Sequence, residues 1–199
     1  MEPVRVSQFI LASASPRRRD LLRKAGYCFE IVPSAVDESK YDTNGISSEE
    51  HTRILALAKA RDVAVRFPNA IVVGSDTVVD LDGEIIGKPD DVAHAEEIIR
   101  KLFSKPHGVI TGLALVCMEK NIEIVEADTT IVYPRQLTES QIADHIQNGQ
   151  WQGKAGAYGI QETGDEFVER IDGSFTNVMG LPIELTEQLL ERLSILPQP

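Results

Sequence analysis

The stretch "AIVVGSDTVVDLDGEIIG", Ala70 to Gly87, decides the fold. Its first part, Ala70 to Asp76, is a mostly apolar run with the length of a buried strand. Its second part, Thr77 to Gly87, reads as a hairpin turning at Asp82-Gly83, a dipeptide suited to the positive φ angles of a tight turn. The hairpin brings antiparallel pairing into the sheet. Upstream, Val6 to Ala12 and Cys28 to Pro33 read as strands around a helix from Ser15 to Gly26, with Ser15 as cap, Pro16 at the first helical position and Gly26 as the stop. A second helix opens on a capping box, Ser47 to Glu50, with Ile54, Leu57, Ala58, Ala64 and Val65 as its predicted apolar face. These helices are crossovers. Hairpin and crossovers together specify an α/β fold with a mixed sheet.

Downstream the alternation continues. A helix from Asp91 to Phe103 is expected to turn Val92, Ala95, Ile98, Ile99 and Leu102 inward. Two long strands follow, joined by a polar turn at Glu119 to Asn121. Thr138 and Gln141 form another capping box, and that helix stops at Gly149. A strand from Glu166 and a closing helix from Leu181 complete the pattern. There are no repeats and no low-complexity linkers, so residues 1–199 read as a single domain.

Composition narrows the function. Hydrophobic residues make up 42% and charged residues 26%, ordinary globular values. A net charge of −11 argues against nonspecific binding to nucleic acid polymers or an anionic membrane. No run approaches the ~20 apolar residues of a membrane span, and the first residues lack the apolar core of a signal peptide. Cys28 and Cys117 read as free thiols in a reducing cytoplasm.

Against that acidic background, "SASPRRR" places Arg17, Arg18 and Arg19 at a helix N-terminus, where cations are electrostatically unfavourable. An anion at that end resolves the conflict. A phosphate would take the free backbone N–H groups, the Ser13 and Ser15 hydroxyls and one arginine. The plain alternative is arginines fanning into water. Successive helix positions turn by ~100°, so Arg17 or Arg18 reaches the ligand and Arg19 supports or is solvated.

Asp76 and Thr77 follow the buried strand, and in open α/β sheets ligands bind beyond strand carboxyl ends. A carboxylate there binds a divalent metal or activates water; otherwise it only forms a turn. Asp37 and Glu38 follow the strand at Cys28 and, paired with Asp76, suit Mg²⁺ or Mn²⁺ on phosphates; the ordinary alternative is a solvated loop. "GEIIGKP" is not a phosphate-binding P-loop, because three residues separate Gly83 from Gly87 and Pro89 follows Lys88, but Lys88 stands as a phosphate cation. Lys59, taken alone, reads as the polar edge of a helix. In "GKAGAYGIQE", Gly153 to Glu162, the glycines mark a sharp turn or close approach to a ligand. Tyr158 stacks on a base or packs in the core, and Gln161 offers an amide able to read a base edge.

The order of these words carries more than any one of them. "SASPRR", "VDE", "LAKA", "GSDTVV", "GKP", "TGLALV", "KAGAYGIQ" and "NVMGLP" run from Ser13 to Pro182, and the series resembles the Maf family of nucleoside triphosphate pyrophosphatases. The resemblance implies a fold similar to Maf and inosine triphosphatase proteins: an elongated mixed sheet flanked by helices, with a central cleft between two lobes. It implies metal-dependent hydrolysis of a nucleoside triphosphate to the monophosphate and pyrophosphate, with Mg²⁺ or Mn²⁺. It implies Asp76 as the catalytic proton acceptor, Ser13, Arg17 and Arg18 as substrate-binding, and Glu38, Lys59 and Lys88 around the triphosphate and metal, with Glu38 and Asp76 as the metal-binding pair. Thr77 and Gln161 match specificity positions, and "KAGAYGIQ" resembles the subgroup acting on dTTP and UTP. A homodimer in the cytoplasm is implied at the same level. Two other readings remain open: a nucleotide-binding regulator of cell division without turnover, and a pyrophosphatase preferring inosine triphosphate-like purines. Gln141 and His145 depart from the family pattern, and the expectation there is altered packing.

Overall fold

The computed structural model describes residues 8–43, 45–149, 151–158 and 167–198. The elements in chain order are β1 (Phe9–Leu11), α1 (Pro16–Lys24), β2 (Phe29–Ile31), α2 (Ser48–Ala64), β3 (Val72–Leu81), β4 (Glu84–Ile86), α3 (Val92–Leu102), β5 (His107–Cys117), β6 (Ile122–Pro134), α4 (Glu139–Gln147), β7 (Val168–Asp172), α5 (Phe175–Val178) and α6 (Ile183–Arg192). Short 3₁₀ turns lie at Glu38–Lys40 and Ala155–Ala157. The local signals produce the expected ends. Ser15 accepts from the Arg18 N–H, Ser47 from the Glu50 N–H, and Thr138 with Gln141 closes a reciprocal capping box. Asp82 and Gly83 have φ of 55° and 84°, as the tight β3–β4 turn demands.

The sheet order is β2-β1-β3-β5-β6-β7, with β4 also on β3. β1 pairs parallel with β2 and β3, and the remaining pairs are antiparallel, so the sheet is mixed and open. β3, β5 and β6 are long enough to run through two lobes. In one lobe α1 and α6 pack Leu22, Leu189 and Leu190 against one sheet face, while α2 packs Ala56, Ala60 and Val63 against the other. In the second lobe α3 and α4 cover a separate core built on Val79, Ile86, Leu102 and Trp151.

One edge of β3 explains the cleft between the lobes. β1 ends at Leu11, opposite Val73, and β4 ends at Ile86, opposite Val79. Between those points the β3 edge has no strand partner among the described residues. Asp76 therefore lies in mid-strand and not after a strand end, which corrects the expectation from sequence. The reason is that the "buried strand" and the first arm of the hairpin are one continuous strand. Asp76 nevertheless lies just beyond the carboxyl end of β1, where the sheet switches from a parallel to an antiparallel neighbour.

The α2 face also differs from expectation. Ile54 and Val65 are exposed, Val65 to 70%, and the buried residues are Ser48, His51, Thr52, Leu55, Ala56, Lys59, Ala60, Val63 and, as expected, Ala64. Small residues win that face because the helix backbone lies directly on the sheet. A Cβ placed on Gly74 would overlap the Ala56 carbonyl oxygen, and one on Gly112 would overlap that of Thr52. On α3, Val92 is exposed while Ala95, Ile98, Ile99 and Leu102 are buried as expected.

Gly112→Ala should lower stability by at least about 2 kcal/mol, because helix backbone must shift to admit the methyl group. At Gly108 the added Cβ finds ordinary contact distance, 3.6 Å from Asp80 Cβ, so Gly108→Ala should change stability by less than about 1 kcal/mol. Urea-unfolding midpoints of the two variants check this; equal values would contradict the close approach of α2.

Candidate functional site

The three arginines of α1 take three different environments. Arg19 bonds Asp20 at 2.8 Å on the outer surface. Arg18 turns into the wall of the cleft and its guanidinium meets four protein acceptors: the Gly180 and Ser75 carbonyls, each at 2.8 Å, Thr77 Oγ1 at 3.0 Å and Ser13 Oγ at 3.3 Å. Burial lowers its pKa, against the charges of Asp76 and Glu38, which raise it. Arg17 lines the cleft and has no ion-pair or hydrogen-bond partner among the described residues.

Arg18 thus joins the α1 start, the middle of β3 and the turn before α6. Ser13 Oγ also accepts from the Ser15 N–H at 3.2 Å, and the Thr77 hydroxyl is further engaged with Thr111 Oγ1 at 3.0 Å and the Gly180 carbonyl at 3.3 Å. Ser13, Thr77 and Arg18, all named from sequence as substrate-binding, are brought together as one bonded wall.

The opposite wall is carried by α2. Lys59 sits on its buried stripe, 8% exposed, and its ammonium bonds Asp76 Oδ1 at 2.7 Å and Glu38 Oε1 at 2.6 Å. It is not the solvated helix edge that its position in the sequence suggests when taken alone. Asp76 is 6% exposed, whereas Glu38 stands at the cleft rim. Burial pushes the Glu38 carboxyl up, but the Lys59 hydrogen bond and the charges of Lys59, Lys88 and Arg18 outweigh it, so its pKa falls below the ordinary value. Lys88 follows β4 and lines the cleft from the second lobe, with no ion-pair partner among the described residues.

The cleft has two adjoining chambers of about 760 and 360 Å³. The larger collects Ser13, Arg17, Lys24, Lys59 and Lys88 with Glu38 at its edge. The smaller runs from Asp76 and Thr77 towards apolar walls formed by Leu55, Val78, Ile86 and Val109. Tyr158 borders it, but its hydroxyl bonds His107 Nε2 at 2.5 Å and its ring stands edge-on to Phe103. It belongs to the second-lobe core. Gly156, at φ 72°, lets the neighbouring backbone press on Val79 and Leu102, and its N–H donates to the Gly87 carbonyl at 3.1 Å. The glycine-rich stretch thereby fixes the β4 end and Lys88 against the cleft. Gln161 lies outside the described residues.

Among the described residues no group of three or more His, Cys, Asp or Glu side chains is placed to hold a metal. Two carboxylates, Glu38 and Asp76, do converge on one cation, the Lys59 ammonium. Two carboxylates completed by substrate oxygens are a donor set that Mg²⁺ and Mn²⁺ accept. Sequence reasoning missed Asn177, which is fully buried and donates to the Val109 carbonyl and Thr130 Oγ1, each at 3.0 Å. It anchors the α5 turn that presents the Gly180 carbonyl to Arg18.

The chain resembles known proteins over almost its whole length. The model of the "Maf-like protein" family matches residues 8–193. The dTTP/UTP pyrophosphatase of Ruminiclostridium cellulolyticum is 39% identical over 185 residues, 93% of this chain and 95% of the relative. That of Symbiobacterium thermophilum is 43% identical over 185 residues, 93% of each chain. Among solved structures, the Staphylococcus aureus Ham1 protein superposes with a TM-score of 0.53 at 12% identity, covering 93% of this chain and 98% of that one. The Ham1 likeness shows a shared fold.

Lys59→Met should destabilise the protein by about 3 kcal/mol, because it leaves the Asp76 carboxylate buried without its ammonium. Adding Asp76→Asn to that variant should recover about half of the loss by removing the uncompensated charge. Thermal or urea unfolding of the two single variants and the double variant gives the coupling; simple additivity would contradict the buried pair.

Proposed function

Because the chain belongs to the Maf-like protein family, we propose that it hydrolyses nucleoside triphosphates, dTTP and UTP among them, to the monophosphate and pyrophosphate. The observation that carries this is a pair of cations, Arg17 and Lys88, facing one cleft without an ion-pair or hydrogen-bond partner among the described residues, in a chain of net charge −11, beside the buried Asp76–Lys59 pair. A helix N-terminus adds its backbone N–H groups to the same chamber. This arrangement suits a polyanion with a hydrolysable bond near Asp76. The names of the relatives supply the substrate class, and removal of nucleotides from the cellular pool is the role that fits it.

The residues divide the work. Arg17, Lys88 and Ser13 hold the phosphates. Lys59 orients Asp76 and adds positive charge where negative charge develops. Asp76 takes a proton from the attacking water, whose oxygen bonds the α-phosphorus; the α–β bridging bond breaks and pyrophosphate leaves. Arg18 shapes the wall through Ser13, Ser75 and Thr77 and keeps its assignment to substrate binding at that wall, and Thr77 and Gln161 are assigned to specificity. Glu38 and Asp76 would hold Mg²⁺ or Mn²⁺ with phosphate oxygens, and the metal would neutralise charge on the leaving pyrophosphate. The chain is read as one domain, because β3, β5 and β6 run through both cores. Cys28 and Cys117 are free thiols, which suits a cytoplasmic location, and a homodimer is retained from the family resemblance.

The test is turnover of dTTP, UTP and inosine triphosphate with Mg²⁺ or Mn²⁺ in ¹⁸O-labelled water. The expected outcome is pyrophosphate plus labelled monophosphate, fastest with dTTP and UTP, and lost when a chelator removes the metal. Binding without release would make the protein a nucleotide-holding module. A purine-first profile would overturn the assigned substrate class.

A further inference from the structure

His51 is a buried side chain of the cleft that the proposed reaction does not use. It lies on the buried stripe of α2, one and two turns before Leu55 and Lys59, and is 6% exposed. It borders the smaller chamber, at the end whose walls include Leu55, Val78 and Ile86; Arg17, Lys59 and Lys88 line that chamber too, where it adjoins the larger one. Its neighbour Thr52 lies over Gly112, and Gly112 is the register partner of Asp76, so His51 stands level with the reactive carboxylate but on the cleft side.

The two ring nitrogens differ. Nδ1 is sealed from solvent and has no hydrogen-bond partner. Nε2 is neither sealed nor bonded to any described residue, so it is the polar atom that the ring turns to the chamber. A proton on the sealed Nδ1 would be a buried donor without an acceptor, the costlier arrangement. The neutral ring therefore carries its proton on Nε2 and offers an N–H to the chamber. Polar groups of neighbouring walls are already engaged: Thr77 with Arg18 and Thr111, and Tyr158 with His107.

We propose that His51 is a specificity-determining residue whose Nε2–H donates to a carbonyl oxygen of the substrate base. The proposal rests on the nucleotide-hydrolysis reading above, which puts the phosphates at Arg17 and Lys88, where the two chambers meet, and leaves the apolar end of the smaller one for the nucleoside. On the α2 wall Lys59 is engaged with Asp76 and Glu38, so the donor left beside Leu55, Val78 and Ile86 is His51. That pairing of apolar walls and a donor favours a flat ring bearing carbonyl oxygens, as uracil and thymine do, and places the contact on the base and not on the phosphates.

The experiment compares wild type with His51→Phe, which keeps a ring but removes the donor, and His51→Gln, which restores an N–H. Steady-state kinetics use UTP and dTTP; ribose 5′-triphosphate and inorganic tripolyphosphate serve as competitors lacking the base. His51→Phe is expected to raise KM for UTP and dTTP about tenfold, with kcat within twofold. The inhibition constants of both base-free competitors should stay unchanged, and His51→Gln should restore KM to within about threefold. An unchanged KM in a folded His51→Phe would overturn the proposal. So would an equal weakening of the base-free competitors, which would place His51 at the sugar or phosphates. Failure of wild type to hydrolyse either nucleotide would instead sink the functional reading itself, so the two failures are separable.

Discussion

Everything at this site depends on how closely α2 lies on the sheet. Gly74 and Gly112 have no side chain to hold the helix away, and Ala56 and Ala60 add only methyl groups on its side. The helix backbone then rests on β3 and β5, and Lys59 is short of nothing: its ammonium reaches the Asp76 carboxylate from inside the protein at 2.7 Å. A helix raised by the thickness of one larger side chain would leave Asp76 buried without a counter-charge, an arrangement that costs several kcal/mol. The same contact sets the depth of the chamber that His51 and Leu55 border.

The second constraint is the shared acceptor work of Arg18. It connects segments far apart in sequence, from Ser13 to Gly180, and gives the cleft wall a fixed shape before any ligand arrives. Preformed walls leave less ordering to be done on binding. Arg17 and Lys88, by contrast, have no protein partner among the described residues and meet incoming charge directly. The division between an engaged arginine and its unengaged neighbour follows from helix geometry, since adjacent positions point ~100° apart.

Much of the fold was legible because its signals are local. Ser15-Pro16, Asp82-Gly83 and Thr138–Gln141 each specify an element end through groups a few residues apart. The mixed sheet followed from one hairpin among helical crossovers. The site residues were legible as ordered words but not as roles. The apolar spacing on α2 marks its buried face only in part: Ala64 is buried, whereas Ile54 and Val65 are not. Close backbone approach instead selects alanine and buries His51 and Lys59, leaving Ile54 and Val65 in solvent. Nothing local shows that β3 continues past its parallel neighbour, so the sequence by itself suggests a strand end at Asp76. The bonds of Arg18 to Ser75 and Gly180 are not legible locally, because those acceptors are remote in the chain.

The central claim is that Asp76, held by Lys59 at the switch point of the sheet, activates the attacking water. The most direct measurement is single-turnover hydrolysis of UTP by Asp76→Asn beside its affinity for α,β-methylene-UTP, an analogue that cannot be cleaved. The expected result is a folded variant whose hydrolysis rate falls about a thousandfold while analogue affinity, measured without divalent metal so that loss of a metal ligand does not enter, stays within a few-fold of wild type. A rate within tenfold of wild type, or a loss of rate matched by an equal loss of analogue binding, would contradict it.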